Sequence, residues 1–427
     1  MVSGSRRALR VWLLGALALV LVLTGCAGQL PSKGAPPKGA PPAGFAGGQG
    51  QHVPDDGVHP DAISRTEVFW SGGQQVEVTV HVGPVVRARS GGALQLRFEA
   101  TGGPPGAAVD LPELFGVPAG DAPVDARILD ADGLMVYEPM RLEGVTPLTR
   151  FLDQSRLEAD AGPARWVGYY PMPDGPMHVL LPYFGLVQDV HVEQGIVSEV
   201  PGMADLLTDQ IMTAESFPLR QHSEPAGAPG EGPGPVGDHD ATLEVADPQG
   251  RYGSAAVRVE EVRRVGGLLV GRIEVQQVTA DSDAPHGAAW AVHAGWLAGE
   301  VSDSDGADDT DGTDPSDAGA APGAGLMHAA DAPTLLVDGQ RVFPMTYDVA
   351  GRPDEVRLMP LTDRMFGYED LRGEDRSATA TVVWPDVGGD VVTIDVPSSA
   401  AVAVDATGDA QPFRFIDVPV LDGDPET

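Results

Sequence analysis

The chain has 427 residues, 42% hydrophobic and 6% aromatic, enough apolar material for two cores of ordinary domain size and too much for wholesale disorder. Its 27 Lys and Arg against 62 Asp and Glu give a formal net charge of −35, which repels phosphate backbones and excludes nucleic acid as a partner. With 55 Gly and 39 Pro the chain is rich in turn residues, which predicts an all-β fold class of short strands with few helices.

Arg6, Arg7 and Arg10 precede the apolar run Val11 to Leu23, too short to span a bilayer comfortably but suited to a signal peptide. The run ends in Leu23-Thr24-Gly25-Cys26, which resembles the lipobox of bacterial lipoproteins. That resemblance implies cleavage after residue 25 and lipid attachment at Cys26, the only cysteine of the chain. Acyl chains contribute about 0.8 kcal/mol per buried CH₂, so two or more give a stable membrane anchor. Ser5-Arg6-Arg7-Ala8-Leu9 loosely resembles a twin-arginine export signal, which leaves both export routes open. Residues 26–56 are Gly, Pro, Ala and Gln with almost no large apolar side chain, and are read as a disordered tether.

Beyond the tether, two stretches match in order. Val78 to Val82 with Gly91 to Glu99 answers Val257 to Val259 with Gly266 to Glu274, each read as strand, Gly-Gly turn, strand. Val136 to Met140 answers Val342 to Met345, Pro147-Leu148-Thr149 answers Pro360-Leu361-Thr362, and Tyr170-Pro171 answers Trp384-Pro385. The offsets are 175, 205, 213 and 214, so an insertion is expected in the second copy before residue 342. It is assigned to the acidic tract 302–325, whose crowded Asp side chains predict disorder. The organisation expected is domain 1 over 57–220, a linker over 221–240, and domain 2 over 241–427.

Alternation of Val76, Val78, Val80 and Val82, of Leu94, Leu96 and Phe98, and of Val392, Ile394 and Val396 predicts half-buried strands in two antiparallel β-sandwich domains related by internal duplication. Met203, Leu206, Leu207, Ile211 and Met212 repeat at helix spacing, and Leu148, Phe151 and Leu152 suggest a helical turn. Thr334 to Met345, Ser377 to Pro385 and Phe415 to Val420 resemble the middle and closing strands of the immunoglobulin-like domains of actinobacterial lipoproteins. The resemblance implies an immunoglobulin-like fold and carries no functional residues with it.

Several groups are weighed for chemistry. Met172, Met177 and His178 form a soft-ligand set suited to copper. The acidic tract is rich in oxygen ligands for calcium, but neither Gly306 nor Gly312 frames a binding loop with a closing Glu. His286 and His293 flank Trp290 at a spacing that suits one helix face. No Gly-x-Ser-x-Gly elbow or HExxH is present, so neither a hydrolase nor a zinc protease is indicated by motif. Trp166, Tyr169, Tyr170, Tyr183 and Phe184 cluster in sequence and would form a recognition patch if exposed, or core if not. The function expected is therefore a noncatalytic lipoprotein without a cofactor. It would be anchored on the extracytoplasmic face of the cell membrane and present two domains to an unidentified envelope protein or ligand. Metal handling and a secreted hydrolase are the alternatives.

Overall fold

The computed structural model describes residues 57–111, 126–226, 236–279, 332–361, 376–396 and 413–422, apart from 72, 143–145, 160, 208–211, 247–252 and 350–356. The residues read as signal peptide and tether, Cys26, the acidic tract and the His286–His293 segment lie outside these residues. Most of the described residues lie in strands and few are helical, as the turn-rich composition predicts.

In the N-terminal half one sheet runs Ile63–Ser71, Gln74–Val82, Gly91–Gly102, Ala164–Tyr170, Thr149–Phe151. A second runs Gly185–Val187, His178–Leu181, Arg127–Asp130, Met135–Leu142, Met212–Pro218. Val76, Val78, Val80, Leu94, Leu96 and Phe98 of the first sheet meet Ile128, Val179, Leu181 and Val187 of the second in one apolar cluster. These are the alternate residues of each strand, so period-two patterning places the two sheets face to face. In the C-terminal half a single ten-stranded sheet follows the path Ser223–Pro225, Gln340–Val342, Thr334–Val337, Val391–Val396, Phe413–Asp422, Ser254–Val265, Leu268–Thr279, Ser377–Pro385. It encloses its own cluster around Trp384, Phe413, Phe415, Ile394 and Val257.

The halves share register in detail. Leu148 N–H donates to Met140 O at 2.7 Å and Tyr169 N–H to Leu148 O at 2.9 Å; Leu361 N–H donates to Met345 O at 2.7 Å and Val383 N–H to Leu361 O at 2.9 Å. Tyr170 Oη donates to Ala126 O at 2.8 Å, and Trp384 Nε1 to Pro333 O at 2.8 Å. The relays and the two rings keep the offsets 205, 213 and 214 read from the sequence, while the ring acceptors Ala126 and Pro333 are offset by 207. The hairpins do not keep 175. In the C-terminal half Gly266-Gly267 is the two-residue turn between Val265 and Leu268, but the matching turn is Arg89-Ser90, between Ala88 and Gly91. Gly91 and Gly92 already stand in the strand, so the offset there is 177.

Each hairpin carries one extra residue on its first strand. Glu260 is bulged between Val259 and Glu261, and between Val82 and Val86 four steps oppose the three from Leu96 to Ala93, across the cis Gly83-Pro84 peptide. In both halves one segment pairs first with one neighbour and then, beyond a bend, with another. Val187 pairs with Val179 and Val192 with Val85, as Phe415 pairs with Ile394 and Val420 with Val262. The bend falls at Asp189 (φ 48°) and at Asp417 (φ 54°), and Asp is among the residues that tolerate this left-handed conformation best.

Two helical expectations are corrected. Among the described residues of the 203–212 stretch, Met203–Leu206 is α-helical and Met212 opens a strand paired with Leu142, since a single helical turn gains less than a strand that extends a sheet. Thr149–Phe151 is a strand against Gly168–Trp166 rather than a helical turn. The linker expected over 221–240 contains Ser223–Pro225 and Val236–Asp238, both paired into the C-terminal sheet.

All described residues fall within one compact unit, Val53–Thr427. A third apolar cluster joins the halves: Leu129, Ala131, Val136, Leu180, Leu186, Phe217 and Leu219 meet Val265, Leu268, Val270, Met345, Tyr347, Leu361 and Val383. Tyr347 Oη donates to Glu138 Oε1 at 2.8 Å, and Gly267 N–H to Ala131 O at 3.2 Å across the same contact.

Candidate functional site

At the edge of this junction lies a cleft of about 190 Å³ lined by Arg65, Glu67, Phe184, Leu186, Gln188, Glu261, Arg263, Val270 and Arg272. Arg272 stands opposite Glu261, immediately beyond the bulged Glu260, and reaches back into the N-terminal half. Its Nη2 donates to Glu67 Oε1 at 2.5 Å, its Nε to Glu260 Oε2 at 3.2 Å and its Nη1 to Tyr183 O at 3.5 Å. Gly185 leaves the room: a Cβ there would stand 2.8 Å from Arg272 Nη1, and its φ of +77° strains any other residue. Arg263 Nε donates to Glu261 Oε2 at 2.8 Å, and Phe184, Leu186 and Val270 supply the apolar wall.

Burial pushes the Glu67 carboxyl above its ordinary pKa despite the opposing pull of Arg272. Burial also works against the Arg272 charge, but Glu67 and Glu260 outweigh it and the guanidinium stays firmly protonated. The lining thus offers guanidinium and amide donors and carboxylate acceptors beside an apolar wall, a surface for recognition by hydrogen bonds and charge. It includes no Ser, Cys or His. Among the described residues no group of three or more His, Cys, Asp or Glu side chains gathers as a metal site would.

Of the residues singled out by sequence, Phe184 lines this cleft and Tyr183 reaches it through its backbone oxygen, while the others are placed elsewhere. Trp166, Tyr169, Tyr170, Tyr183 and Phe184 are all buried, so they form core and not an exposed patch. Phe69 packs edge-on against Tyr183 with ring centroids 5.3 Å apart, and tilted against Phe184 at 5.6 Å. Met177 joins Val179 and Leu181 in the first cluster, whereas His178 lies on the alternate face, where its Nδ1 accepts from Asp189 N–H at 3.2 Å. Met172 packs at the edge of that cluster, its Sδ over Gly92. His81 bonds Ser64 Oγ at 2.7 Å on the open side of its strand.

The cleft leaves little trace in the sequence. Its only signal is an unusual charge density on one strand, Arg258, Glu260, Glu261, Arg263 and Arg264, which needs the fold to show what it faces. Comparison with known protein families, with curated proteins and with solved structures finds no match to this chain.

Proposed function

We propose that this chain is an exported lipoprotein, held by acyl chains on Cys26 at the extracytoplasmic face of the cell membrane. Its two immunoglobulin-like β-sandwiches, the product of an internal duplication, act as a noncatalytic module for binding or scaffolding in the envelope. The n-region, apolar run and lone Cys26 support the anchor. The matched hydrogen-bond relays at Leu148 and Leu361, the matched bulges, and the paired bends at Asp189 and Asp417 support the duplication.

The observation that carries the binding role is the third apolar cluster, to which each half gives seven residues. It fixes the two halves together, so a tether ends in one preorganised body rather than in two swivelling beads. Preorganisation lowers the entropic cost of docking, and a lipid anchor raises the effective concentration for partners at the same membrane. The cleft at Arg65, Glu67, Arg263 and Arg272 is the surface assigned to recognition.

The test of anchoring is labelling of cells with an alkyne palmitate analogue, followed by membrane fractionation. The wild-type chain is expected to take up label and sediment with membranes, and Cys26→Ala to lose both. Unchanged labelling of Cys26→Ala would overturn the anchor. A thermal shift specific to copper or calcium and abolished by chelation would replace the binding module with a metal-handling role.

A further inference from the structure

The register match identifies, for each residue of the junction, its counterpart in the other half. On the N-terminal side the junction is built on two apolar cross-strand pairs, Leu180 with Leu186 and Val136 with Phe217, together with Leu129. Their counterparts are fixed by neighbouring pairs that superimpose: Val179 pairs with Ile128 and Val187 as Ile394 pairs with Leu335 and Phe415, and Leu129 pairs with Val136 as Leu336 pairs with Arg341.

By this match Leu180 and Leu186 become Asp395 and Arg414, while Val136 and Phe217 become Arg341 and Glu224. Both apolar pairs are thus replaced by cross-strand ion pairs. Arg414 donates to Asp395 through Nε at 2.6 Å and Nη2 at 2.8 Å, and Arg341 Nη1 stands 3.7 Å from Glu224 Oε1. Core-facing neighbours stay apolar in both halves, so the change is confined to the outer face.

The opposite side of the junction is matched too. Val270, Met345, Leu361 and Val383, which receive the N-terminal half, correspond to Ala93, Met140, Leu148 and Tyr169. In the N-terminal half that face is also buried, but its cover is the short segment carrying Val197, Val200 and Met203.

From these matches we propose that the junction is a repeatable head-to-tail docking surface, whose natural complement is a second copy of this same module, and that the chain closes both free ends of it. A head-to-tail contact that does not close on itself can propagate without limit unless its ends are capped. Ion pairs block one end, since docking an apolar face on them would strip the remaining water from Arg414, Arg341 and Glu224, beside an Asp395 that is already buried. The Val197–Met203 segment blocks the other. This inference stands apart from the proposed anchor and ligand, because it concerns only how modules meet.

The test uses the full-length chain in mild detergent by sedimentation velocity. The wild type is expected to be monomeric. The variant E224F/R341V/D395L/R414L, which restores the N-terminal residues at the four positions, is expected to self-associate with rising concentration. Adding Met203→Ala, which loosens the opposite cover, should increase that association. The variant remaining folded by circular dichroism and monomeric, with and without Met203→Ala, would overturn the proposal. A second variant keeps the test open if the first does not fold: Leu180→Asp with Leu186→Arg carries the ion pair into the junction. It should speed amide exchange at Gly267 on the order of tenfold or more while Val179 stays protected. Unchanged exchange at Gly267 would contradict the proposal.

Discussion

At one cross-strand couple the two halves solve the same packing problem in opposite ways. Leu94 pairs with Gly168 in the N-terminal half, and their counterparts are Gly271 and Val382. One glycine is present in each couple, but on the other strand. A Cβ on Gly168 would stand 2.5 Å from Trp166 Cη2 and 2.8 Å from Tyr170 Cε2; one on Gly271 would stand 2.4 Å from Trp384 Cζ3. What is required is space for a large ring lying across the couple, and either strand can leave it. The constraint belongs to the pair, not to a position, which is why it is invisible to residue-by-residue alignment of the halves.

The comparison breaks hardest at the rings themselves. Trp384→Ala and Tyr170→Ala each empty a fully buried site, and about 3–5 kcal/mol is expected from either, read as a fall in the urea midpoint. A large loss from one with none from the other would end the equivalence of the two halves. Gly168→Val overfills its couple and should cost about 1–3 kcal/mol. Adding Leu94→Gly reproduces the C-terminal arrangement and should recover part of that loss, whereas additive losses would show that the strands are not interchangeable.

Smaller effects sharpen the picture. Asp395→Ala strips the partner from Arg414, which still reaches solvent, so about 1–2 kcal/mol is expected in the same assay. Tyr170→Phe removes the hydrogen bond to Ala126 O while keeping the ring, at about 1 kcal/mol. The smallest expected effect is a pH dependence at His178. Burial holds its pKa below the ordinary 6.5, against the pull of Asp189, Asp132 and Asp130. The unfolded chain therefore binds this proton more readily, so the contribution is whole above the unfolded value and is lost as pH falls through the folded one. The melting temperature should drop between about pH 7 and pH 5, and His178→Gln should flatten that drop.

The alternating valines and the aromatic-Pro landmarks were legible because strand period and a buried ring with its hydrogen bond leave a local signature. Val76 to Val82 are buried at every second position, and Tyr170 and Trp384 do sit at matching places. Gly91-Gly92 misled because two adjacent glycines mark either a turn or a place where side chains crowd in, here the Met140, Met172 and Tyr169 side chains. The apolar spacing of Met203 to Met212 misled because a short segment covering a sheet needs apolar residues whatever its conformation. The junction and its cleft were illegible for a different reason. Arg272 and Glu67 are 205 residues apart, and nothing local distinguishes an outward-facing Leu180 that docks a second layer from one that does not.

The central claim is that the two matched halves form one body. Amide hydrogen exchange on the full-length chain tests it most directly. The account predicts slow exchange at the relay amides Leu148, Tyr169, Leu361 and Val383, and comparably slow exchange at Gly267, whose bond crosses the junction. Fast exchange at Gly267 with the relay amides still protected would mean two independent halves, and would contradict the account.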